Sequence, residues 1–224
     1  MKNYLLIIIA IFFVGCSQSE EPINDTTPED SVQIGNQIWM KENLSLIRFS
    51  NGDEIFHASN QEEWNQAYID KIPAWSYYED LEANGLIYGL IYNYYAIKDD
   101  RGLAPESWKI PTISDWNKLF EYNGGIEVAG RKLKSQNYWV SESGTNESGF
   151  NALPGGERFL SGVFNDLGVL VSFWTSSLDS NGDIITVGIS DIYEESRVFE
   201  ATSDPDKFNR FYNLPGFYVR CIKE

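Results

Sequence analysis

The chain has 224 residues, with 33 acidic against 17 basic side chains, one histidine and two cysteines, for a net charge of −16. A surface that acidic repels phosphate backbones and excludes nucleic-acid binding as a default, and so few Cys and His leave no ligand set for a Cys/His zinc site. Hydrophobic residues make up 42% and aromatics 15%, with 7 Trp, 13 Tyr and 13 Phe, which is enough to bury a sizeable core and excludes a disordered acidic tail.

Lys2 precedes an unbroken apolar run from Leu5 to Val14 that stops at Gly15-Cys16. A transmembrane helix needs about 20 apolar residues. The shorter run fits the h-region of a secretory signal. Val14-Gly15-Cys16 resembles the bacterial lipobox, with Phe13 in place of the commoner leucine, and there the cysteine is lipidated and becomes the mature N-terminus. An ordinary export signal with a coincidental cysteine is the alternative; the abrupt change to a polar tract at Ser17 favours lipidation. On that reading residues 1–15 are a lipoprotein signal peptide, Cys16 carries the anchor, and Cys221 is the only thiol left, so an intrachain disulfide is excluded. Residues 16–31 contain five acids, two prolines and no base, the composition of a flexible acidic tether. Within it, Ser19-Glu20-Glu21 resembles the acidic surface-export signal of Bacteroidetes lipoproteins, and a merely solvated spacer explains the same residues. The location expected is the outer membrane, lipid-anchored at the cell surface.

Residues 32–224 carry the folded domain. Val32 to Trp39 alternates around Gly35-Asn36, a hairpin signal. Ser59 with Glu62 has capping-box spacing and predicts a short helix over 60–70. Thr112 with Asp115 repeats it before Trp116, Leu119 and Phe120, which share one helical face until Gly124-Gly125. Short strands follow at Phe173–Ser177, Ile184–Ile189 and Phe217–Ile222. Helices first and strands later predict an α+β domain with short strands, hairpins and two or three short helices.

Val32–Leu44 (VQIGNQIWMKENL), Tyr88–Ile97 (YGLIYNYYAI), Leu103–Leu119 (LAPESWKIPTISDWNKL), VAGRKLKS, NESGFNALPGG, FWTSS and GFYVRCIKE follow one another along the chain. In that order they resemble the Fibrobacter succinogenes major paralogous domain, with Ser107 where glycine is usual there. The resemblance implies a C-type-lectin-like fold, related also to formylglycine-generating sulfatase-modifying proteins. Those enzymes use a cysteine pair that this chain lacks. It further implies structural roles for Trp39, Trp108, Pro111, Trp116, Trp174 and Arg220, with Cys221 packed in a strand. Of the sugar-binding signatures of lectins, only Phe164-Asn165-Asp166 is similar.

Few residues offer chemistry. Asp179, Asn181 and Asp183 alternate as a calcium loop requires, yet glycine falls at the fourth position and Ser190 stands where the terminal glutamate would be, so a turn on Asn181-Gly182 fits better. Asp204-Pro205-Asp206 has the composition of a solvated turn. His57 titrates near neutrality but has no nucleophile in a recognisable context. Tyr77, Tyr78, Tyr94 and Tyr95 can either stack on sugar rings or fill the core. The function expected is a non-catalytic surface-anchored binding or adhesion module for glycans or another extracellular partner, with no catalytic residue, cofactor or metal. The alternative is an enzyme of the sulfatase-modifying fold with altered or lost chemistry.

Overall fold

A computed structural model describes residues 30–141, 143–159, 161–191 and 216–224, and the backbone of 196–200. The signal segment, Cys16, the tether up to residue 29 and Asp204-Pro205-Asp206 lie outside the described residues. Among the described residues no helix is long and apolar enough to cross a membrane.

The opening hairpin forms as its alternation predicts, with β1 (Ser31–Ile34) antiparallel to β2 (Gln37–Met40). Gly35 sits at φ +59° with the Tyr122 ring 2.9 Å from where a Cβ would stand, so both backbone and packing demand glycine. After β3 (Phe56–His57), helix α1 covers Gln61–Ile69. Its cap lies one residue later than the Ser59/Glu62 pairing predicts: Asn60 Oδ1 accepts the Glu63 N–H at 2.9 Å, and Glu63 Oε2 accepts the Ser59 N–H and hydroxyl at 2.8 Å each. This register still turns Trp64 and Ala67 inward. Next come β4 (Ala74–Ser76), a 3-10 turn at Tyr78–Asp80, α2 (Glu82–Tyr88), β5 (Ile91–Tyr92), α3 (Tyr94–Lys98) and β6 (Trp108–Lys109).

Helix α4 (Ile113–Tyr122) has the predicted capping box between Thr112 and Asp115 and buries Trp116, Leu119 and Phe120. The helix stops at Tyr122, just ahead of Gly124-Gly125 as expected. Gly125, at φ +99°, starts a second amphipathic helix, α5 (Ile126–Leu133). The remaining strands are β7 (Gly155–Arg158), β8 (Phe164–Leu167), β9 (Leu170–Leu178), β10 (Ile184–Ser190), β11 (Ser196–Glu200) and β12 (Ile222–Lys223). They complete sheets ordered β1-β2-β12-β6, β11-β10-β9-β7-β8 and β3-β4-β5. The architecture is mixed α+β, with five α-helices among the described residues, more than the two or three expected.

The expected closing strand Phe217–Ile222 is instead a thread of single bridges. Gly216 exchanges backbone hydrogen bonds with Arg158, and Phe217 with Tyr92. Tyr218 bonds Ser172 and Trp174, Val219 accepts from Leu44, and Cys221 accepts from Met40. Each residue has a different partner, so no regular ladder forms. The thread separates two hydrophobic clusters. Tyr218 and Ile222 belong to one, with Trp39, Ile91, Trp116, Phe150 and Phe173. Phe217, Val219 and Cys221 belong to the other, with Met40, Tyr92 and Trp174.

Trp116 is fully buried, its ring 4.9 Å from Trp39, 5.6 Å from Phe150 and 5.1 Å from Phe173 between centroids. Trp116→Ala should therefore lower the folding free energy by about 3–5 kcal/mol, measured by chemical denaturation. An unchanged midpoint would place the ring outside the core.

Candidate functional site

An open groove of about 640 Å³ lies at the edge of the first sheet. One wall is the segment Leu46–Gly52. Phe49 N–H bonds Asp53 O at 2.9 Å and Gly52 N–H bonds Phe49 O at 2.8 Å, which makes a tight turn. Arg101 braces it from behind. Its guanidinium lies 4.1 Å over the Phe49 ring and bonds Asp99 at 2.7 Å and Asp53 at 3.1 Å. Those bonds hold both carboxyls below the usual range, with Asn51 the leading contributor at Asp53.

The other wall is Ala104–Trp108. Trp108 N–H bonds Pro105 O at 3.0 Å, and Ser107 occupies the left-handed region at φ +67°. Ser50 joins the walls through its hydroxyl, which donates to Gly102 O at 3.1 Å and Ala104 O at 2.9 Å. Pairing of Lys223 with Trp108 seats the half-buried indole on an edge strand. Around it stand the exposed Glu106 and Glu224 and Arg48, which is paired with Glu54 at 2.5 Å. An aromatic face with hydrogen-bonding groups at its margin suits a ligand that is apolar on one face and rich in hydroxyls at its rim.

The residues picked out in the sequence are dispersed. Trp39, Trp116 and Trp174 are fully buried, Pro111 is buried, and the Trp174 indole N–H donates to Tyr92 O at 2.8 Å. Arg220 is buried as well. Its Nη1 donates to the carbonyls of Lys41 at 2.8 Å, Phe150 at 2.6 Å and Met40 at 3.2 Å, and its Nε and Nη2 donate to Asn43 Oδ1 at 3.0 and 2.7 Å. Trp108 is the member of that set that faces the groove.

Tyr77 and Tyr78 do not form a stacking surface. They are 6% and 4% exposed, because adjacent residues of the chain here point into the two opposite cores. Tyr94 and Tyr95 are half-buried on α3, and Tyr95 tilts against Tyr68 at 5.6 Å. The His57 ring stacks on Trp75 at 3.9 Å and 3°, and the partial desolvation there lowers its pKa. Asp179 Oδ1 accepts the N–H groups of Asn181 and Asp183 at 2.8 Å each, so its carboxylate closes the turn that Asn181-Gly182 predicts. No local pattern marks Arg48, Phe49 or Glu224 as groove residues. The Pro105-Glu106-Ser107 turn ahead of Trp108 was the available signal that this tryptophan sits at an edge.

Strand β7 carries two interior ionisable side chains. Arg158 is fully buried between the rings of Trp64 and Phe164, at 4.7 and 4.6 Å, and bonds Asp80 at 2.6 Å. Glu157 accepts the Ser172 hydroxyl at 3.2 Å, and burial pushes its carboxyl up to about 7 from an ordinary 4.5. Folded Glu157 therefore holds a proton that the unfolded chain releases between those values. Stability should fall by roughly 3 kcal/mol as pH rises from 4.5 to 7 and level off above. Glu157→Gln should remove that decline and exceed the wild type in stability at pH 8, as read by urea denaturation at pH 5 and pH 8. A wild type equally stable at both would contradict a buried carboxyl.

Comparison with known proteins gives one match. The pattern described as the Fibrobacter succinogenes major domain matches residues 32–223. No curated protein and no solved structure matches the chain. The matched span runs from the first residues of the opening hairpin to β12, which closes on that hairpin's second strand. The chain therefore belongs to the Fibrobacter succinogenes major domain family.

Proposed function

We propose that the protein is a surface-anchored lipoprotein whose domain binds extracellular glycans, with the Trp108 groove as the binding face. The half-buried indole lining an open groove carries this reading, because sugar rings stack their C–H faces on aromatic rings and offer hydroxyls to neighbouring carboxylates and amides. Pre-organisation supports it: Ser50, Arg101 and the Ser107 turn fix both walls before any ligand arrives. We read the return of β12 to the opening hairpin as a C-type-lectin-like arrangement. Cys16 is the proposed anchor, residues 1–15 the signal peptide and residues 16–31 the tether that holds the domain clear of the outer membrane.

The enzymatic alternative fares less well on its defining group. Cys221 is fully buried, and burial pushes its thiol up to about 12, far from the thiolate that cysteine chemistry needs. Glu157 is poised near neutrality but enclosed in the sheet.

Cells displaying the full-length protein should retain polysaccharides from an immobilised array. Trp108→Ala should weaken that retention about tenfold or more, equal to about 1.4 kcal/mol, at a temperature where circular dichroism shows the variant folded. Retention unaffected by Trp108→Ala would move the ligand elsewhere. Radiolabelled palmitate should be incorporated in the native host and lost in Cys16→Ser; labelling that survives the change would rule out Cys16 as the anchor.

A further inference from the structure

Lys134 and Asp191 meet in the interior, Nζ to Oδ1 at 3.5 Å, with their side chains 2% and 1% exposed. Lys134 is the residue at which α5 gives way to extended backbone, and Asp191 directly follows β10. The Trp139 ring lies 5.0 Å from Nζ. Asp191 Oδ2 accepts the backbone N–H of Ser141 at 2.5 Å. Gly144 presses on the lysine from a further side, where a Cβ would stand 2.1 Å from the Lys134 carbonyl oxygen.

Amide condensation of an amine with a carboxylic acid begins with one proton transfer, from ammonium to carboxylate. The products of that transfer are a neutral amine and a carboxylic acid in contact, the two reactants of amide condensation. We propose that Lys134 and Asp191 join in an intramolecular isopeptide bond. Lys134 Nζ attacks Asp191 Cγ and forms the N–C bond, while the C=O pair moves onto Oδ2, where the Ser141 N–H already donates and stabilises the developing oxyanion. A proton then passes from Nζ to the Oδ1 hydroxyl, the C–O bond breaks, water leaves, and the Oδ2 pair restores the carbonyl. One ammonium and one carboxylate become one secondary amide and one water, with no oxidant, reductant or added group.

Contact supplies what dilute amines and acids lack, since well-oriented intramolecular pairs reach effective concentrations of about 10⁵–10⁸ M. Exclusion of water then protects the product from hydrolysis. The bond ties the end of α5 to the end of β10. It needs no second cysteine, and it stands independently of any glycan reading.

Trypsin digestion of the urea-unfolded full-length protein decides the matter. An amidated Lys134 resists cleavage, so residues 133–158 should appear joined to residues 159–197 in one branched peptide about 18 Da lighter than the two parts together. Fragmentation should place the link at Lys134 and Asp191, and Lys134→Arg should abolish the branched species. Cleavage after Lys134 with both peptides at unmodified mass overturns the proposal, and the wild-type digest alone suffices if the variant fails to fold. A link mapped to other residues overturns it equally.

Discussion

The segment Gly216–Ile222 is buried throughout, and the two cores exist as separate bodies because this thread lies between them. Its extended backbone sends successive side chains to opposite sides, Phe217, Val219 and Cys221 one way and Tyr218 and Ile222 the other. Arg220 takes the side of Phe150 and Phe173, 4.6 Å above the first ring. Its guanidinium reaches the Met40–Asn43 corner, which lies 177 to 180 residues earlier in the chain. Closing so long a loop costs entropy that only many simultaneous contacts offset. The Arg220 fork supplies them in a fixed geometry that a lysine ammonium cannot match.

The same two-sided burial recurs wherever a strand passes between the clusters. Trp39 and Met40, Ala74 and Trp75, Ile91 and Tyr92, and Phe173 and Trp174 each split between the two cores. Strands covered on both faces need no polar alternation. This explains why the chain reads as adjacent aromatic and aliphatic pairs, and why the Tyr77-Tyr78 doublet signals a partition and not a binding platform. The groove forms where this arrangement stops, at the β6 edge, so its walls stand on a scaffold held by both cores.

What could be read in advance follows from whether the signal was local. The opening hairpin and α4 were legible because a Gly-Asn turn and a Thr-x-x-Asp box act within a few residues. The α1 cap falls one residue later than the Ser59/Glu62 spacing indicates because Ser59 and Asn60 are both competent caps, and Asn60 takes the position. β7 escaped notice, since Gly155-Gly156-Glu157-Arg158 has neither apolar alternation nor β-branched residues. Its glycines are there because a Cβ at 156 would meet Asn165 O at 2.4 Å, and one at 155 would meet the Tyr218 ring at 2.6 Å. The groove was half legible: Trp108 stood out in a motif, but its exposure depends on β12, which arrives more than a hundred residues later.

Interior charge was the least legible feature, because lysine and arginine are usually read as solvent-facing. Yet Lys134, Arg158 and Arg220 are all buried, and each solves the problem differently. Arg220 is satisfied by carbonyl dipoles and stays cationic although burial lowers its pKa. Arg158 keeps a partly exposed carboxylate partner and two aromatic faces. Lys134 has a carboxylate as buried as itself. Replacing such groups by apolar residues is often neutral or stabilising, so their contribution lies less in stability than in uniqueness, because a polar group with fixed partners tolerates one packing and penalises the rest. Isolated bridges at Lys134, Arg158 and Tyr218 place two of these interior polar side chains at junctions of the chain, where fixed partners favour one packing over its near neighbours.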